Sequence, residues 1–147
     1  MLPDAPPEIA TTQVRVFLCD DVPEFRALMR VVLEGDGMVV VGESGDGNAC
    51  VAVVRESSAD VVLLDLSMPG RDGLELIPLL RSAAPRCAIV VLSGFEADRF
   101  GQQVMVAGCC SYVQKGASFD VICRAVRECA GPAQALRSGS PRPSQPR

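Results

Sequence analysis

The sequence predicts an α/β fold in which a parallel β-sheet is covered by helices on both faces. Several apolar runs are continuous rather than alternating, and the clearest of them, Val61–Leu64, leads directly into an aspartate. Strands of this kind are buried on both faces. These runs alternate with segments whose apolar residues recur at helical spacing. The chain of 147 residues is 48% hydrophobic and only 4% aromatic, which favours a single domain with a core of Val, Leu, Ile and Ala.

Five strands and five helices are predicted in strict alternation. The strands are Val14–Cys19, Met38–Gly42, Val61–Leu64, Ala88–Leu92 and a short one around Ser111–Val113. The helices are expected from Pro23 to Gly35, from about 48 to 55, over Leu74–Arg81, over Ala97–Ala107 and over Ser118–Ala130.

Individual residues and the apolar spacing support these helix predictions. Pro23 and Glu24 suit a first helical turn, where a missing N–H costs little and a negative charge favours the helix dipole. The apolar spacing predicts a buried face for the first helix at Phe25, Leu28, Met29 and Val32, and for the last helix at Phe119, Ile122, Val126 and Cys129. Pro78 either kinks the third helix or delays its start.

The two ends of the chain differ in composition from the middle. Residues 1–13 are predicted to be a disordered leader, residues 14–130 the folded domain, and residues 131–147 a disordered tail rich in Pro, Ser and Arg. The net charge is −4, and the tail carries three arginines and no acid, so the folded part is more acidic than the whole. That charge argues against nucleic-acid binding by the folded part.

The cysteine pattern and the hydropathy of the chain indicate where in the cell the protein is located. The seven cysteines form no Cys-x-x-Cys pair, and the chain has no histidine to complete a zinc site. They are interpreted as small hydrophobic residues in a reducing cytoplasm, with a redox site at Cys109-Cys110 as the weaker alternative. No signal peptide and no apolar run of membrane-spanning length is present, so a cytoplasmic location without membrane contact is expected.

Polar residues follow the ends of four predicted strands. Asp20 and Asp21 follow the first, Asp65 the third, Ser93 the fourth and Lys115 the fifth. In a flavodoxin-like sheet of order 2-1-3-4-5 the first and third strands are neighbours, so the three aspartates converge in one cleft. Three carboxylates so close repel by several kcal/mol per pair at an effective dielectric of about 20. Oxygen ligands of this kind select Mg²⁺ or Mn²⁺.

A divalent ion beside a carboxylate, a hydroxyl and a lysine is suited to phosphoryl transfer onto the carboxylate. Over about residues 14–130 the sequence resembles the receiver domain of two-component response regulators, in its NarL/FixJ-like branch. The resemblance lies in four motifs taken together: Asp20-Asp21, Asp65-Leu-Ser-Met-Pro-Gly-x-Asp-Gly, Leu92-Ser93-Gly94 and Tyr112-Val-Gln-Lys115.

The resemblance implies a metal site and a phosphoacceptor. Asp65 would receive a phosphoryl group from a histidine kinase. Asp21 and Asp65 would bind Mg²⁺ directly together with the main-chain carbonyl of Ser67, and Asp20 would hold the ion through water.

The resemblance also implies how the site would switch. Lys115 would pair with the phosphoryl oxygens, Ser93 would move to hydrogen-bond the phosphate, and Tyr112 would swing inward behind it. This would couple the site to a downstream protein through the fourth helix, fifth strand and fifth helix, and a homodimer on phosphorylation is a further option.

The chain departs from the family pattern in two places. Gly116 follows Lys115 where many receivers have proline, and the pair Cys109-Cys110 has no functional account. Each motif residue also has a purely structural alternative: a helix cap for Asp20 and Asp21, a turn residue for Asp65, a loop serine for Ser93, a core aromatic for Tyr112 and a surface lysine for Lys115.

The motifs fit three possible functions to different degrees. A signalling switch without enzymatic activity of its own fits all the motifs. A metal-dependent aspartyl-phosphate phosphohydrolase would need a second aspartate two residues after Asp65, where this chain has Ser67. A degenerate receiver would lack part of the acidic, hydroxyl and basic set, which is complete here. No helix-turn-helix pattern follows Gly131, which leaves a stand-alone receiver or a fragment or remnant of a NarL/FixJ-type transcription regulator. The stand-alone receiver is preferred, because the tail is too basic and proline-rich to be a folded effector.

Overall fold

The computed structural model describes residues 13–66, 68, 72–94 and 97–137, with the backbone alone at 97–100 and 135–137. Five parallel strands form one sheet of order β2-β1-β3-β4-β5. The strands are β1 (Arg15–Cys19), β2 (Val39–Ser44), β3 (Val61–Asp65), β4 (Ala88–Ser93) and β5 (Ser111–Gln114). The predicted fold class and strand order are confirmed.

A helix follows each strand. The helices are α1 (Pro23–Gly35), α2 (Gly47–Ser57), α3 (Gly73–Ala83), α4 (Ala97–Ala107) and α5 (Phe119–Arg137). Asp46 and Asp72 cap the first turns of α2 and α3, accepting hydrogen bonds from the backbone N–H of Asn48 and Leu74. Pro78 lies inside α3, which begins at Gly73 rather than after the proline.

The sheet separates two apolar clusters, one on each face. Every residue of β3 is buried. Val61 and Leu63 belong to the cluster covered by α1 and α5, while Val62 and Leu64 belong to the cluster covered by α2, α3 and α4. Because successive side chains of a strand point to opposite faces, a strand between two helix layers must be apolar at every position.

Two residues expected in the core lie at the surface instead. Leu28 of α1 is 41% exposed and Phe119 of α5 is 49% exposed. In α1 the fully buried residues are Met29 and Leu33, so the buried stripe is rotated from the predicted one. Helical spacing identifies an apolar stripe, but only the packing angle against the sheet decides which edge of the stripe is covered.

The last helix extends beyond its predicted end. It was expected to stop at Ala130, before Gly131 and Pro132, but α5 continues to Arg137. Ala130 and Ala133 are both buried in this stretch. The residues after Pro132 are strong helix formers, and burial of Ala133 adds to their propensity, which together outweigh the cost of a proline inside the helix. The remainder of the predicted tail lies outside the described residues, as does the predicted leader up to residue 12.

The interpretation of all cysteines as small hydrophobic residues is wrong for two of the seven. Cys110 and Cys129 form a disulfide bond, with their Cα atoms 6.0 Å apart. The other five are free and buried, as expected. Sequence spacing gave no sign of this pair, because its partners are 19 positions apart and meet only when α5 packs beside the start of β5.

Within the described part of the chain, no helix is long and apolar enough to cross a membrane.

Candidate functional site

Three aspartates meet where β1 and β3 end. These strands are direct neighbours, with Cys19 opposite Leu64, so Asp20 and Asp65 leave the sheet side by side. Ligand oxygens of Asp20, Asp21 and Asp65 all lie within 4.8 Å of one another. The structure therefore brings together the three carboxylates that the sequence predicted to converge.

The three carboxylates differ in their access to water. Asp20 and Asp65 are 4% and 3% exposed, whereas Asp21 is exposed. Like charges at this separation repel by about 3 kcal/mol or more per pair at an effective dielectric of about 20. Such a cluster needs nearby positive charge to exist in the folded protein.

Lys115 supplies part of this charge. Its Nζ lies 2.9 Å from Oδ2 of Asp20 and 3.5 Å from Oδ2 of Asp65. The ammonium also lies 4.5 Å from the ring centroid of Phe25, in cation–π contact. Lys115 directly follows β5, and its backbone N–H donates a hydrogen bond to the carbonyl of Ser93, which fixes the side chain at the same edge of the sheet.

The pKa of Lys115 reflects this surrounding. Burial by itself lowers the pKa of the ammonium, but the close ion pair with Asp20 and the negative charge of Asp65 outweigh it. The net result is a raised pKa, so Lys115 is held in its charged form.

Asp20 is fixed by contacts that the sequence did not reveal. Its Oδ1 accepts a hydrogen bond of 2.9 Å from the backbone N–H of Val22. Arg26 of α1 donates to the main-chain carbonyl of Asp20 at 2.6 Å and also to Glu43 at 2.6 Å. The only sequence signal for Arg26 was a cation in the second turn of a helix that starts beside an acidic pair.

The donor set fits a divalent cation. Oδ2 of Asp20 is buried and accepts no hydrogen bond among the described residues, so it meets Lys115 only as an ion pair. A cavity of about 10 Å³ adjoins Asp20 and Asp65, which is room for about one water-sized group. Carboxylate oxygens in such an arrangement suit a hard ion such as Mg²⁺. Ser67, the fourth predicted ligand, lies outside the described residues.

The start of α3 packs tightly against the segment that follows Asp65. A Cβ atom at Gly73 would lie 2.7 Å from the main-chain oxygen of Leu66 and 2.8 Å from its Cα. Only glycine allows the helix to begin this close to the backbone next to Asp65. The Asp-Gly at the end of the long motif thus has a clear packing role.

Ser93 lies on β4, the strand beside Asp65, and Tyr112 lies on β5, one strand further along the sheet. Asp65 pairs with Leu92 in the sheet, so Ser93 is one residue further along β4 and is completely buried. Tyr112 pairs with Val91 and is partly buried against the core on the α2, α3 and α4 side. Its hydroxyl is buried and has no hydrogen-bond partner among the described residues, so the ring already points inward.

Comparison with known proteins agrees with this geometry. The family model described as "Response regulator receiver domain" matches residues 16–127. Response regulator GacA of Pseudomonas aeruginosa is 34% identical over 116 residues, covering 78% of this chain and 54% of GacA. The transcriptional regulatory protein YxjL of Bacillus subtilis is 33% identical over 119 residues, covering 80% and 55% respectively. The chain thus spans about half the length of the curated relatives it matches.

Solved structures show the same fold. The signal receiver domain of NarL from Mycobacterium tuberculosis has a TM-score of 0.75 at 33% identity, covering 80% of this chain and 96% of that one. A LuxR-family two-component response regulator from Aurantimonas has a TM-score of 0.76 at 25% identity, covering 86% and 96%. The matching family, the strand order and the acidic site agree, and the chain belongs to the response regulator receiver domain family.

Proposed function

We propose that this receiver domain is a phosphorylation-controlled switch in which Asp65 accepts a phosphoryl group from a sensor histidine kinase. The observation that carries this proposal is the meeting of Asp20, Asp21 and Asp65 with Lys115 at one end of the sheet. Asp20 and Asp65 are buried, so their negative charge together with that of Asp21 exceeds the single charge of Lys115 and favours binding of a further cation.

The chemistry requires only a positioned carboxylate and positive charge around it. An oxygen of Asp65 attacks phosphorus, the bond between phosphorus and the histidine nitrogen of the kinase breaks, and that nitrogen keeps the electron pair. Lys115, 3.5 Å from Oδ2 of Asp65, is placed to neutralise charge on the transferred oxygens. The product is an acyl phosphate on Asp65.

Mg²⁺ is the proposed cofactor, with Mn²⁺ as its substitute. Asp21 and Asp65 would hold the ion directly with the main-chain carbonyl of Ser67, and Asp20 through water. When bound, the ion supplies positive charge that offsets both the carboxylates and the incoming phosphoryl group.

Ser93 and Tyr112 are proposed to transmit the change. Ser93 ends β4, one residue beyond the sheet partner of Asp65, and is placed to hydrogen-bond the phosphoryl group. Movement of Ser93 frees space that the inward ring of Tyr112 can fill. The sheet partner of Tyr112 is Val91, which lies two residues before Ser93 on β4. A shift from mostly inactive to mostly active needs roughly 5.5 kcal/mol of preference for the active state.

The output surface is proposed on α4, β5 and α5. Large apolar side chains are exposed there, namely Met105, Val106, Phe119 and Val121. Val106 is 83% exposed, which nothing in the fold of this domain requires. A downstream protein, or a second copy of the domain after phosphorylation, would cover these side chains.

The chain spans about half the length of curated relatives named as regulators, and the proposed function is that of the receiver domain. For this domain we infer a role inside the cell, without membrane or nucleic-acid binding by the domain itself. The domain acts as a switch rather than as an enzyme.

The direct test is phosphorylation by acetyl phosphate in the presence of Mg²⁺. We expect a single phosphoryl group on the intact protein, removed by hydroxylamine as for an acyl phosphate. Asp65→Asn should abolish it. The matched control is Asp72→Asn, which changes a nearby exposed aspartate to a residue that also caps helices. Labelling that persists in the Asp65 variant, or that disappears equally in the control, would reject the assignment.

Metal binding is tested separately by calorimetric titration with Mg²⁺ alone. Asp21→Asn should weaken the affinity at least tenfold, because it removes one directly bound charge, while Asp72→Asn should leave it unchanged. Equal affinities of the Asp21 variant and the natural protein would remove Asp21 from the metal site.

A further inference from the structure

The disulfide bond lies where β5 begins, next to α5. Cys110 directly precedes β5, and its backbone N–H donates a hydrogen bond of 2.7 Å to the carbonyl of Ile89 at the edge of β4. Its partner Cys129 belongs to α5 and is 8% exposed. The bond therefore ties the first residue before a strand to the middle of the helix that packs beside it.

Of the seven cysteines, all of which lie within the described residues, only Cys110 is exposed. Cys129 and the five free cysteines are all buried. An attacking thiolate must reach the sulfur that it attacks, so exposure alone selects Cys110 as the point of entry.

Four of the five free thiols also have raised pKa values, which makes them poor competitors of Cys110 in thiol exchange. Burial raises the pKa of Cys19 and Cys109, and burial together with nearby Asp60 raises the pKa of Cys87 to about 12. Burial, helped by the charge of Asp36, raises the pKa of Cys123 as well. Since the thiolate is the reactive form, these cysteines are inert in the folded protein near neutral pH.

We propose that the Cys110–Cys129 bond is a reversible thiol–disulfide exchange site, opened by a dithiol reductant that attacks Cys110. One thiolate of the reductant bonds to Sγ of Cys110 while the bond to Cys129 breaks, and Cys129 leaves as a thiolate that takes up a proton. The second thiol of the reductant then displaces Cys110. Two electrons pass to the protein, which gains two thiols, and the reductant becomes a cyclic disulfide.

The position of the bond gives it a consequence for switching, which rests on the proposed function. Tyr112 lies two residues after Cys110, and Lys115 follows at the other end of β5. The bond holds the start of β5, the strand that carries Tyr112, against α5, so it restrains the movement that the proposed switch needs. We therefore expect reduction to raise the rate of phosphorylation. A disulfide in a protein that acts inside the cell is also more often transient than permanent.

The test is differential alkylation of the folded protein, purified without reductant. Samples are untreated, treated with dithiothreitol, or treated with reduced glutathione, then alkylated, digested and analysed by mass spectrometry. We expect no cysteine to be labelled in the untreated sample, Cys110 to be labelled after dithiothreitol, and a glutathione adduct on Cys110 after glutathione. Labelling of Cys110 without reductant, no labelling after dithiothreitol, or an adduct on Cys129 would each overturn the proposal.

Two variants serve as controls. Cys123→Ser, which alters another cysteine of α5, should show the same pattern as the natural protein. Cys129→Ser should expose Cys110 to alkylation without reductant, and its folding is checked by circular dichroism. The wild-type samples decide the question even if that variant does not fold.

Phosphorylation by acetyl phosphate is then measured in oxidised and reduced protein. An equal rate in both would overturn the coupling to the switch. The labelling is repeated in Asp65→Asn, where exchange should proceed unchanged, so failure of the redox site and failure of the proposed function give different results.

Discussion

Replacing Lys115 by methionine tests how the acidic cluster is held together. Methionine has an unbranched side chain of similar length, but it removes the ammonium that lies over the Phe25 ring and faces Asp20 and Asp65. The two buried carboxylates then lose their neutralising partner without gaining access to water. We expect the folded state to be destabilised, and more strongly without Mg²⁺ than with it.

The structure sets the magnitude. At an effective dielectric of about 20, the contacts at 2.9 and 3.5 Å correspond to gross attractions of about 6 and 5 kcal/mol. Desolvation offsets most of this, and the side chain is still 24% exposed, so water screens it further. The expected net loss is about 2–3 kcal/mol, below the range for breaking a fully buried pair.

The assay is urea unfolding of oxidised protein at neutral pH, with and without saturating Mg²⁺. Arg124→Met, which removes an exposed cation from α5, is the control and should change stability by less than about 0.5 kcal/mol. The loss from Lys115→Met should also shrink in an Asp65→Asn background, because one repelling charge is absent. A loss as small as that of the control, or one equal with and without the ion, refutes the reasoning.

The difference in stability between the natural protein and Lys115→Met should depend on pH with a defined sign. The pKa of Lys115 is raised in the folded state from an ordinary value of 10.5, so its contribution is fully present below that value. The contribution is lost as the pH rises through the folded pKa. Stabilities of the natural protein and of Lys115→Met should therefore converge only in strongly alkaline solution.

Three further predictions concern stability. Gly73→Ala should lower the free energy of unfolding in urea by about 1–3 kcal/mol, because its Cβ would meet backbone atoms at 2.7 and 2.8 Å. Gly101→Ala, with open space around it, should be neutral or stabilising. Equal effects of the two substitutions would contradict the packing argument. Cys110→Ser with Cys129→Ser should lower stability by about 3 kcal/mol, as expected for closing a loop of this length, and no loss would mean that the bond does not restrain the unfolded chain. Glu43→Gln should lower the free energy of unfolding by about 0.2–1 kcal/mol at neutral pH. Hydrogen bonds from two arginines lower the pKa of Glu43 below 4.5, so the difference in stability from the natural protein should vanish as the pH falls through the folded pKa. A difference that persists in acid would refute this.

The sequence by itself determined the fold class, the strand order and the convergence of the acidic residues. The continuous apolar run before Asp65 is informative because a strand covered on both faces must be apolar at every position. Once β1 and β3 are recognised as parallel neighbours, their carboxyl ends meet at one edge, so Asp20, Asp21 and Asp65 must converge.

Only the tertiary structure decided which faces are covered, where α5 ends and which cysteines pair. Leu28 and Phe119 have the right helical spacing for the core, but the angle at which each helix lies on the sheet leaves them exposed. Burial of Ala133 helps α5 continue past Pro132, against the local signal to stop. Cys110 and Cys129 meet across the packing of a helix on a strand. Such outcomes depend on contacts between residues distant in the chain, which local propensity and spacing do not encode.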